Sequence, residues 1–393
     1  MTDSAVLMNT YNRIPVDFVR GEGSWLFDAE GNKYLDAISG IAVCALGHNH
    51  PGFIKAVQDQ VATLVHTSNL YGIPLQQQLA ERLCEASGME RVFFCNSGAE
   101  GNEAAIKIAR MYGHSKNVDV PGIIVMEGAF HGRTMGSLTA THSNRHQDGF
   151  APFLDGFYRV PFNDLEAVKK TLEANDNIVA VLVEPIQGEG GVVLPASDYL
   201  AGLRSLCDEN DLLLMLDEVQ TGNGRTGKYF AFQHSGIVPD VVSTAKGLGN
   251  GFPIGACLAA GPAANIFQPG HHATTFGGSP LACAAALAVN EALLSENLLE
   301  NATVQGDRIK FGLSMRLQNA EHVVAVRGLG LMIGIELDTP CGDLVAQARD
   351  KGILINVASG NVVRLVPPLN ISEAESDLLI ETISTLVSNF KGG

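Results

Sequence analysis

The sequence predicts an α/β protein with a large domain on a mostly parallel central sheet and a smaller α+β domain made from the N- and C-terminal segments. Three observations lead to this fold class. The chain has 393 residues, of which 46% are hydrophobic, enough to bury the cores of more than one domain. Short apolar segments alternate with amphipathic ones in the middle of the chain, and this pattern changes at both ends. We expect the small domain to comprise residues 1–47 and 295–393, and the large domain residues 48–294.

The strands of the predicted central sheet are near-continuous apolar runs, which are typical of strands buried on both faces. They lie at 91–95, 122–126, 178–184, 212–217, 241–244 and 256–260. Helices are predicted between them at 99–112, 164–174 and 198–210. Such alternation indicates parallel strands joined by helical crossovers. Further strands of the small domain are expected at 323–327, 332–336 and 362–365.

The charge and the apolar patterning argue against several classes of partner. The chain has 42 acidic and 26 basic residues, and a net charge of −16 repels the phosphate backbone of nucleic acids. No apolar run reaches membrane-spanning length, and the segment from Met1 to Arg20 lacks the apolar core of a signal peptide. The seven cysteines form no C-x-x-C pair, as expected of reduced thiols. We therefore expect a cytoplasmic protein without nucleic-acid or membrane partners.

The histidines do not indicate a metal site. His48 and His50 are close in sequence, and His271 is adjacent to His272. Neither pair has a third ligand at a spacing typical of zinc sites. Helix caps and loops are the more common positions for such histidines, so no metal is predicted.

A strand-to-helix turn within residues 93–103 is a candidate phosphate site. Its apolar strand leads through Ser97, Gly98 and Ala99 into a predicted helix. The free N–H groups and the positive dipole end of a helix N-terminus favour a phosphate, and small residues let the phosphate approach the backbone. By itself, such a motif is more often a capped turn without a ligand.

Two ionisable residues end apolar strands that follow each other in the chain. A carboxylate at Asp217 needs a positive or hydrogen-bonding partner, which could be a protonated pyridine nitrogen or a neighbouring arginine. Lys246 precedes two nearby glycines, and a partly desolvated lysine has a lowered pKa and can form an imine. A solvated lysine is the usual alternative at a strand end. The combination of the turn, the aspartate and the lysine favours a cofactor site.

Two further motifs supply groups for ring stacking and carboxylate binding. Phe130 can stack on a planar ring, and Arg133 can hold a carboxylate through two parallel hydrogen bonds. A core phenylalanine and a surface arginine are common alternatives. Arg364 stands alone in an apolar strand and needs an anionic partner, which could be Glu189 or a substrate carboxylate.

Taken together, these motifs resemble those of the class III aminotransferases in order and spacing. The matching segments are 96–103, 130–134, 184–191, 217–226, 243–253 and 274–280, and the resemblance extends from about residue 20 to residue 369. It implies the fold type I of pyridoxal-phosphate-dependent transferases. It also implies pyridoxal 5'-phosphate as the cofactor and a homodimer with active sites at the subunit interface.

The resemblance implies a role for each cofactor-binding residue. Lys246 would be the catalytic residue and would carry the cofactor as a Schiff base, with Asp217 on the pyridinium nitrogen. Ser97, Gly98 and Ala99 would bind the phosphate, although Ala99 replaces the threonine that is usual in the family. The remaining contacts would be Phe130 against the ring, Gln220 near its 3-oxygen, and Thr275 on the phosphate of the neighbouring subunit's cofactor.

The resemblance also implies three substrate-binding residues. Arg364 would hold the α-carboxylate of glutamate or 2-oxoglutarate. Arg133 would hold the distal carboxylate of these dicarboxylates, or the α-carboxylate of acetylornithine. Glu189 would neutralise Arg364 whenever the donor with a single carboxylate is bound.

Within the class, the segments 40–43, 46–48, 66–71 and 184–191 resemble the branch that acts on acetylornithine. This implies transfer of the terminal amino group of N2-acetyl-L-ornithine to 2-oxoglutarate, giving N-acetylglutamate semialdehyde and glutamate, in arginine biosynthesis. The same chemistry on ornithine, succinylornithine, succinyldiaminopimelate or 4-aminobutyrate is the nearest alternative. A non-catalytic phosphate- or nucleotide-binding α/β protein is the alternative from another class.

Overall fold

The secondary structure comes from a computed structural model that describes residues 6–142 and 147–391. The strands are β1 (Phe18–Glu22), β2 (Trp25–Asp28), β3 (Lys33–Asp36), β4 (Arg91–Cys95), β5 (Gly122–Met126), β6 (Phe157–Val160), β7 (Ile178–Val183), β8 (Leu213–Asp217), β9 (Val241–Thr244), β10 (Gly255–Ala259), β11 (Val323–Leu329), β12 (Met332–Leu337), β13 (Ile353–Leu354), β14 (Asn356–Ala358) and β15 (Val362–Leu365). The helices are α1 (Pro51–Thr63), α2 (Pro74–Ser87), α3 (Gly98–Ser115), α4 (Met135–Ala140), α5 (Leu165–Ala174), α6 (Tyr199–Glu209), α7 (Pro280–Ser295), α8 (Leu298–Leu317), α9 (Leu344–Arg349) and α10 (Glu373–Ser388). Between β3 and α1, the four residues Ser39–Ala42 form a tight turn in which every φ angle is positive.

A seven-stranded sheet forms the centre of the molecule, with the strand order β4-β10-β9-β8-β7-β5-β6. Strand β10 runs antiparallel to both of its neighbours, whereas the pairs from β9 to β6 are parallel. Every residue of β5, β7, β8, β9 and β10 is buried, as expected for a sheet covered on both faces. The predicted α/β fold with a mostly parallel central sheet is therefore confirmed.

The sequence identified six of the seven strands of this sheet, and their bounds differ from the prediction by one residue at most. The three predicted helices are present as α3, α5 and α6. The missing strand, β6, lies at the edge of the sheet, and only its last residue is buried. It includes Arg159 and lacks the continuous apolar run by which the other strands were identified.

Two four-stranded sheets lie outside the central one, with the orders β1-β2-β3-β13 and β11-β12-β15-β14. Strand β13 pairs in parallel with β3, so that Ile353 lies opposite Leu35 and Leu354 opposite Asp36. The N- and C-terminal segments thus share one sheet, in keeping with the α+β domain that was expected from them. The domain boundaries at residues 47 and 294 stay a prediction.

The topology brings several loops to one edge of the central sheet. Strand β4 points in the same direction as β5, β7, β8 and β9, because β10 is antiparallel to both β4 and β9. The segments that follow these strands therefore meet at the carboxyl edge, where open α/β sheets bind ligands. Helix α3 packs closely on the sheet there, since a Cβ atom on Gly101 would lie only 3.2 Å from the carbonyl oxygen of Ala256.

Helices α7 and α8 follow each other closely in the chain, and α7 is strongly apolar. No single helix in the described ranges is long and apolar enough to cross a membrane. The two helices together satisfy the length and composition of a span, but their axes bend by 66° at the break between them. Most side chains of α7 are buried within the protein core.

Close backbone packing at Gly306 supports a stability prediction. A Cβ atom on this residue of α8 would lie 2.1 Å from the carbonyl oxygen of Gly330, between β11 and β12. We expect Gly306→Ala to lower the free energy of unfolding by about 2 kcal/mol, because backbone rather than a flexible side chain must move. Gly342→Ala is the matched control, since a Cβ atom there would meet nothing within 4 Å. Equal urea-unfolding midpoints for the two variants would contradict the prediction.

Candidate active site

A cavity of about 410 Å³ opens at the carboxyl edge of the central sheet. Its walls are formed mainly by the segments that follow β4, β5, β7, β8 and β9. Nine of the eleven predicted site residues line it: Ser97, Gly98, Ala99, Phe130, Arg133, Glu189, Asp217, Gln220 and Lys246. Arg364 does not line the cavity but contacts two residues that do, Glu189 and Gln220, and Thr275 lies elsewhere.

The N-terminus of helix α3 forms one end of the cavity. The Ser97 hydroxyl oxygen caps the helix by accepting a hydrogen bond from the N–H of Glu100, at 3.2 Å. The N–H groups of Gly98 and Ala99 have no acceptor within the helix, because they belong to its first turn. A Cβ atom on Gly98 would lie 2.6 Å from Cγ1 of Val219, so glycine is the residue that fits here. This end of the cavity can accept a phosphate.

Asp217 ends β8 inside a buried hydrogen-bond network. Its Oδ2 accepts a hydrogen bond from Nδ2 of Asn102 at 2.7 Å and lies 2.8 Å from Nδ1 of His131. Its Oδ1 accepts from the N–H of Val219 at 3.0 Å. Asn102 is in turn held by the hydroxyl of Ser243, which donates to its Oδ1. These bonds compensate for burial of the carboxylate, and Oδ1 keeps the capacity for a second donor from the cavity.

Two more buried carboxyl groups flank Asp217. Burial raises the pKa of Glu184 to about 7 and that of Glu218 to about 7. Glu184 accepts hydrogen bonds from the N–H groups of Phe130, at 2.9 Å, and Gly188, at 3.1 Å. It therefore joins two segments of the cavity wall. Strongly shifted carboxyl groups of this kind concentrate at functional sites.

Lys246 reaches the cavity from the turn after β9, where its own φ angle is 45°. Burial lowers the pKa of its amine, against the opposing effects of the Glu189 and Asp217 carboxylates. Within the described ranges, its Nζ makes no hydrogen bond or ion pair. A lowered pKa increases the fraction of neutral amine, the form that attacks carbonyl carbons and accepts protons.

Arg364 lies in β15 with a fully buried side chain. Its Nη1 forms an ion pair with Oε1 of Glu189 at 2.6 Å and also donates to Oε1 of Gln220 at 3.3 Å. Its Nε donates to Oδ1 of Asn356 at 3.2 Å. Burial acts to raise the pKa of Glu189, but Arg364, Lys246 and Gln220 together outweigh it and the net shift is downward. Both partners of the pair are therefore charged, and Glu189 separates Arg364 from the cavity.

Phe130 and Arg133 follow β5 on the same wall. The Arg133 guanidinium carbon lies 5.6 Å from the centre of the Phe130 ring, and Arg133 is exposed to solvent. Thr275 is also exposed, but it borders a second cavity together with Ser68 and Asn69. The structure therefore brings Arg133 to the predicted site and leaves Thr275 outside it.

Three residues of the site received no role from the sequence. His131 lies inside the 130–134 motif, and its Nε2 is buried without a hydrogen-bond partner in the described part of the chain. Asn102 could have been found as a polar residue on the buried face of a predicted helix. Asn356 gave no local signal, because its contact with Arg364 depends on the pairing of β14 with β15.

The residues around the cavity fit pyridoxal 5'-phosphate. The capped helix N-terminus with Gly98 suits the phosphate, and the unused capacity of Asp217 Oδ1 suits a protonated ring nitrogen. The Lys246 amine in the same cavity can form an imine with the aldehyde. A phosphate, a ring nitrogen and an aldehyde are thus each matched by a group of this chain.

Comparison of the sequence with protein families gives a match to "Aminotransferase class-III" over residues 6–387. The chain is 56% identical over 384 residues to an acetylornithine aminotransferase of Nitrosomonas europaea, covering 98% of each sequence. It is 51% identical over 387 residues to acetylornithine aminotransferase 1 of Bordetella pertussis, again covering 98% of both.

Solved structures are similar over nearly the whole chain. The ornithine aminotransferase of Toxoplasma gondii matches with a TM-score of 0.94 and 32% identity, covering 97% of this chain and 92% of that one. The N-acetylornithine aminotransferase of Stenotrophomonas maltophilia matches with a TM-score of 0.84 and 37% identity, covering 96% and 97%. The fold and the family are thus shared over the complete site.

The raised pKa of Glu218 predicts how stability depends on pH. The folded-state pKa is about 7 and the usual value is 4.5, so the unfolded chain loses this proton first as the pH rises. The stability that this group contributes is present below pH 4.5 and is lost as the pH approaches 7. In Glu218→Gln, the amide can still accept from the N–H of Phe232 and donate to the hydroxyl of Thr221.

We therefore expect the unfolding free energy of the wild type, minus that of Glu218→Gln, to fall by on the order of 3 kcal/mol between pH 5 and pH 8. Urea unfolding at a series of pH values measures this difference. Parallel pH profiles for the two proteins would show that Glu218 does not titrate in this range.

Proposed function

The chain belongs to the class III aminotransferases, and from this premise we propose that it transfers the terminal amino group of N2-acetyl-L-ornithine to 2-oxoglutarate. The products are N-acetylglutamate semialdehyde and glutamate, a step of arginine biosynthesis. Aminotransferases of this type depend on pyridoxal 5'-phosphate. The identity of 56% to an acetylornithine aminotransferase over nearly the full length supports this choice of amine donor.

The ion pair between Glu189 and Arg364 is the observation that carries the proposal. N-acetylornithine has one carboxylate, whereas 2-oxoglutarate has two, and the same cavity must accept both. Arg133, at the exposed side of the cavity, would bind the carboxylate common to both modes. Arg364 would bind the second carboxylate of 2-oxoglutarate, and Glu189 at 2.6 Å would neutralise it when the donor is bound.

Pyridoxal 5'-phosphate, when bound, supplies an aldehyde that captures the amine and a ring that accepts the electron pair of the reacting carbon. In this chain, the phosphate would be held by Ser97 and the N–H groups of Gly98 and Ala99. The remaining contacts would be Asp217 at the ring nitrogen, Phe130 against the ring, Gln220 near the 3-oxygen and a covalent bond from Lys246.

The protein's own groups then explain the proton movements. Asn102 and His131 hold Oδ2 of Asp217, which would leave Oδ1 for the ring nitrogen of the bound cofactor. Lys246 has a lowered pKa, so its neutral amine could accept the proton from the substrate carbon that bears the amine and deliver it to the cofactor carbon on the other side of that nitrogen. This role requires Lys246 to stay in the cavity, where burial keeps its pKa low.

We also propose that the protein is a homodimer in which Thr275 of one subunit contacts the cofactor phosphate of the other. Its position outside its own cavity is consistent with a role across an interface. Large apolar side chains are exposed in the same two segments: Leu70, which lines the second cavity with Thr275, its sequence neighbour Tyr71, and Phe276, which follows Thr275. Such side chains mark protein interfaces. A cytoplasmic location is supported by the seven cysteines, all of which are free thiols.

Ornithine is the second candidate donor, since the fold matches that of ornithine aminotransferases with a TM-score of 0.94. Ornithine differs from N-acetylornithine in its free α-amine, which adds a positive charge close to the carboxylate that Arg133 would bind. Steady-state comparison of the two donors with 2-oxoglutarate decides between them. A higher kcat/KM for ornithine would overturn the assignment of the donor while leaving the reaction type intact.

Lys246→Ala tests the central residue of the proposed mechanism. We expect turnover to fall by at least about 10³-fold, because the site loses its imine-forming amine and its base. Conversion of the bound cofactor to its amine form by N-acetylornithine without an oxo acid, followed by visible absorption, should also be lost. Lys55→Ala, at an exposed lysine of α1, is the control and should retain both properties. Normal turnover in Lys246→Ala would refute the mechanism.

Glu189→Gln tests the neutralisation of Arg364. The variant keeps the shape of the side chain but removes its charge, so we expect the KM for 2-oxoglutarate to fall and kcat/KM for N-acetylornithine to fall by about tenfold. Asp240→Asn removes an ion pair with Arg204 before β9, away from the cavity, and serves as the control. If Glu189→Gln and Asp240→Asn have the same effects on the KM for 2-oxoglutarate and on kcat/KM for N-acetylornithine, Glu189 does not discriminate between the two substrates.

A further inference from the structure

The three nitrogens of the Arg364 guanidinium have different environments. Nη1 contacts the carboxylate of Glu189 and the amide oxygen of Gln220. Nη2 is buried and has no hydrogen-bond partner in the described part of the chain. Nε donates to Oδ1 of Asn356 at 3.2 Å. Only the Nε edge is bonded to a group that does not line the cavity.

The pairing of the strands explains why Asn356 is at this place. Arg364 lies opposite Asn356 on one side, in β14, and opposite Gly334 on the other side, in β12. Directly opposed residues point to the same face of a sheet, and glycine offers no side chain. Asn356 is therefore the cross-strand neighbour whose side chain can bond the arginine.

The chemistry of the amide matters as much as its position. The proposed function requires Arg364 to exchange the carboxylate of Glu189 for that of a substrate. During this exchange, a long arginine side chain needs a bond that stays in place, because each of its rotatable bonds has alternative rotamers. An amide oxygen provides the bond without charge, whereas a carboxylate would compete with Glu189 and with the substrate for the guanidinium.

We propose that Asn356 is a positioning residue that anchors the Nε edge of Arg364, so that Nη1, which now contacts Glu189, stays in place for the dicarboxylate substrate when Glu189 withdraws. This inference rests on the proposed function, since it assigns Arg364 to 2-oxoglutarate and not to the amine donor. Asn356 then sets the affinity for the oxo acid without touching it. The donor half-reaction, in which the Glu189 carboxylate compensates the charge of Arg364, is independent of the anchor.

Asn356→Asp is the sharpest test, because it keeps the geometry and adds a negative charge at the Nε edge. We expect the KM for 2-oxoglutarate to rise by about tenfold, and the inhibition constant of glutarate, an unreactive dicarboxylate, to rise equally. The rate at which N-acetylornithine alone changes the absorption of the bound cofactor should stay within about twofold of the wild type. A residue with only a structural role would not separate the two half-reactions.

Asn361→Asp is the matched control, with the same change in the same hairpin. Asn361 precedes β15, and its Nδ2 donates to the carbonyl oxygen of Leu337, so it has no hydrogen bond to Arg364. We expect this variant to leave the KM for 2-oxoglutarate and the glutarate constant unchanged. A rise equal to that of Asn356→Asp would show that hairpin charge, and not the Nε contact, is responsible, which overturns the inference.

Asn356→Ala is the second variant, in case the half-buried aspartate prevents folding. It removes the acceptor without adding charge, and it should also raise the KM for 2-oxoglutarate and the glutarate constant while sparing the donor half-reaction. An unchanged KM in a folded variant, or an equal loss in both half-reactions, overturns the inference. If the wild type reacts with glutamate but not with N-acetylornithine, the proposed donor fails, and the oxo-acid measurements still test Asn356.

Discussion

The buried carboxylate of Asp217 is the interaction on which the arrangement of the site depends. It binds helix α3 through Asn102 and the segment after β5 through His131, and Asn102 extends the network to Ser243 of β9. A carboxylate at the end of an apolar strand is tolerated only when donors surround it. The hydrogen bonds that satisfy Asp217 are therefore the same bonds that hold three walls of the cavity together. The side chain of Lys246 extends into this cavity, in which Asp217 is held in place by hydrogen bonds.

The net charge of −16 imposes a second constraint, because the field of the whole protein repels dicarboxylates. Anion binding must then come from local groups, namely the N-terminus of α3, Arg133 and Arg364. The burial of Arg364 makes an unpaired state costly, so a carboxylate has to be present both before and after substrate binding. Glu189 fills that need in the free protein, and the neutral amide of Asn356 holds the arginine without adding a third charge.

Within the central sheet, the sequence predicted every strand that is fully buried, and the one strand that it missed, β6, is not. Strands β5 and β7 are apolar throughout, and β8 and β9 are apolar up to the polar residues at their ends, a property that can be read from single segments. Strand β6 was not predicted, because it is partly exposed to solvent and its apolar run is interrupted by Arg159. The antiparallel direction of β10 also had no local signal, since a buried strand has the same composition in either direction. For the site, nine residues were placed in one cavity by motifs that end apolar strands.

The sequence by itself determined the fold class, the family and the identity of the groups that meet at the carboxyl edge, because burial and strand ends leave a local pattern of residue types. Only the tertiary structure decided which groups are partners. Glu189 and Arg364 are 175 positions apart, and Asn102 and Asp217 are 115 positions apart. Their contacts depend on strand order and register, and a shift of one residue would turn Arg364 to the other face of its sheet. The role of Asn356 could be recognised only from the pairing of β14 with β15. It depends on the contact of Asn356 with one nitrogen of Arg364 and leaves no pattern in its own segment.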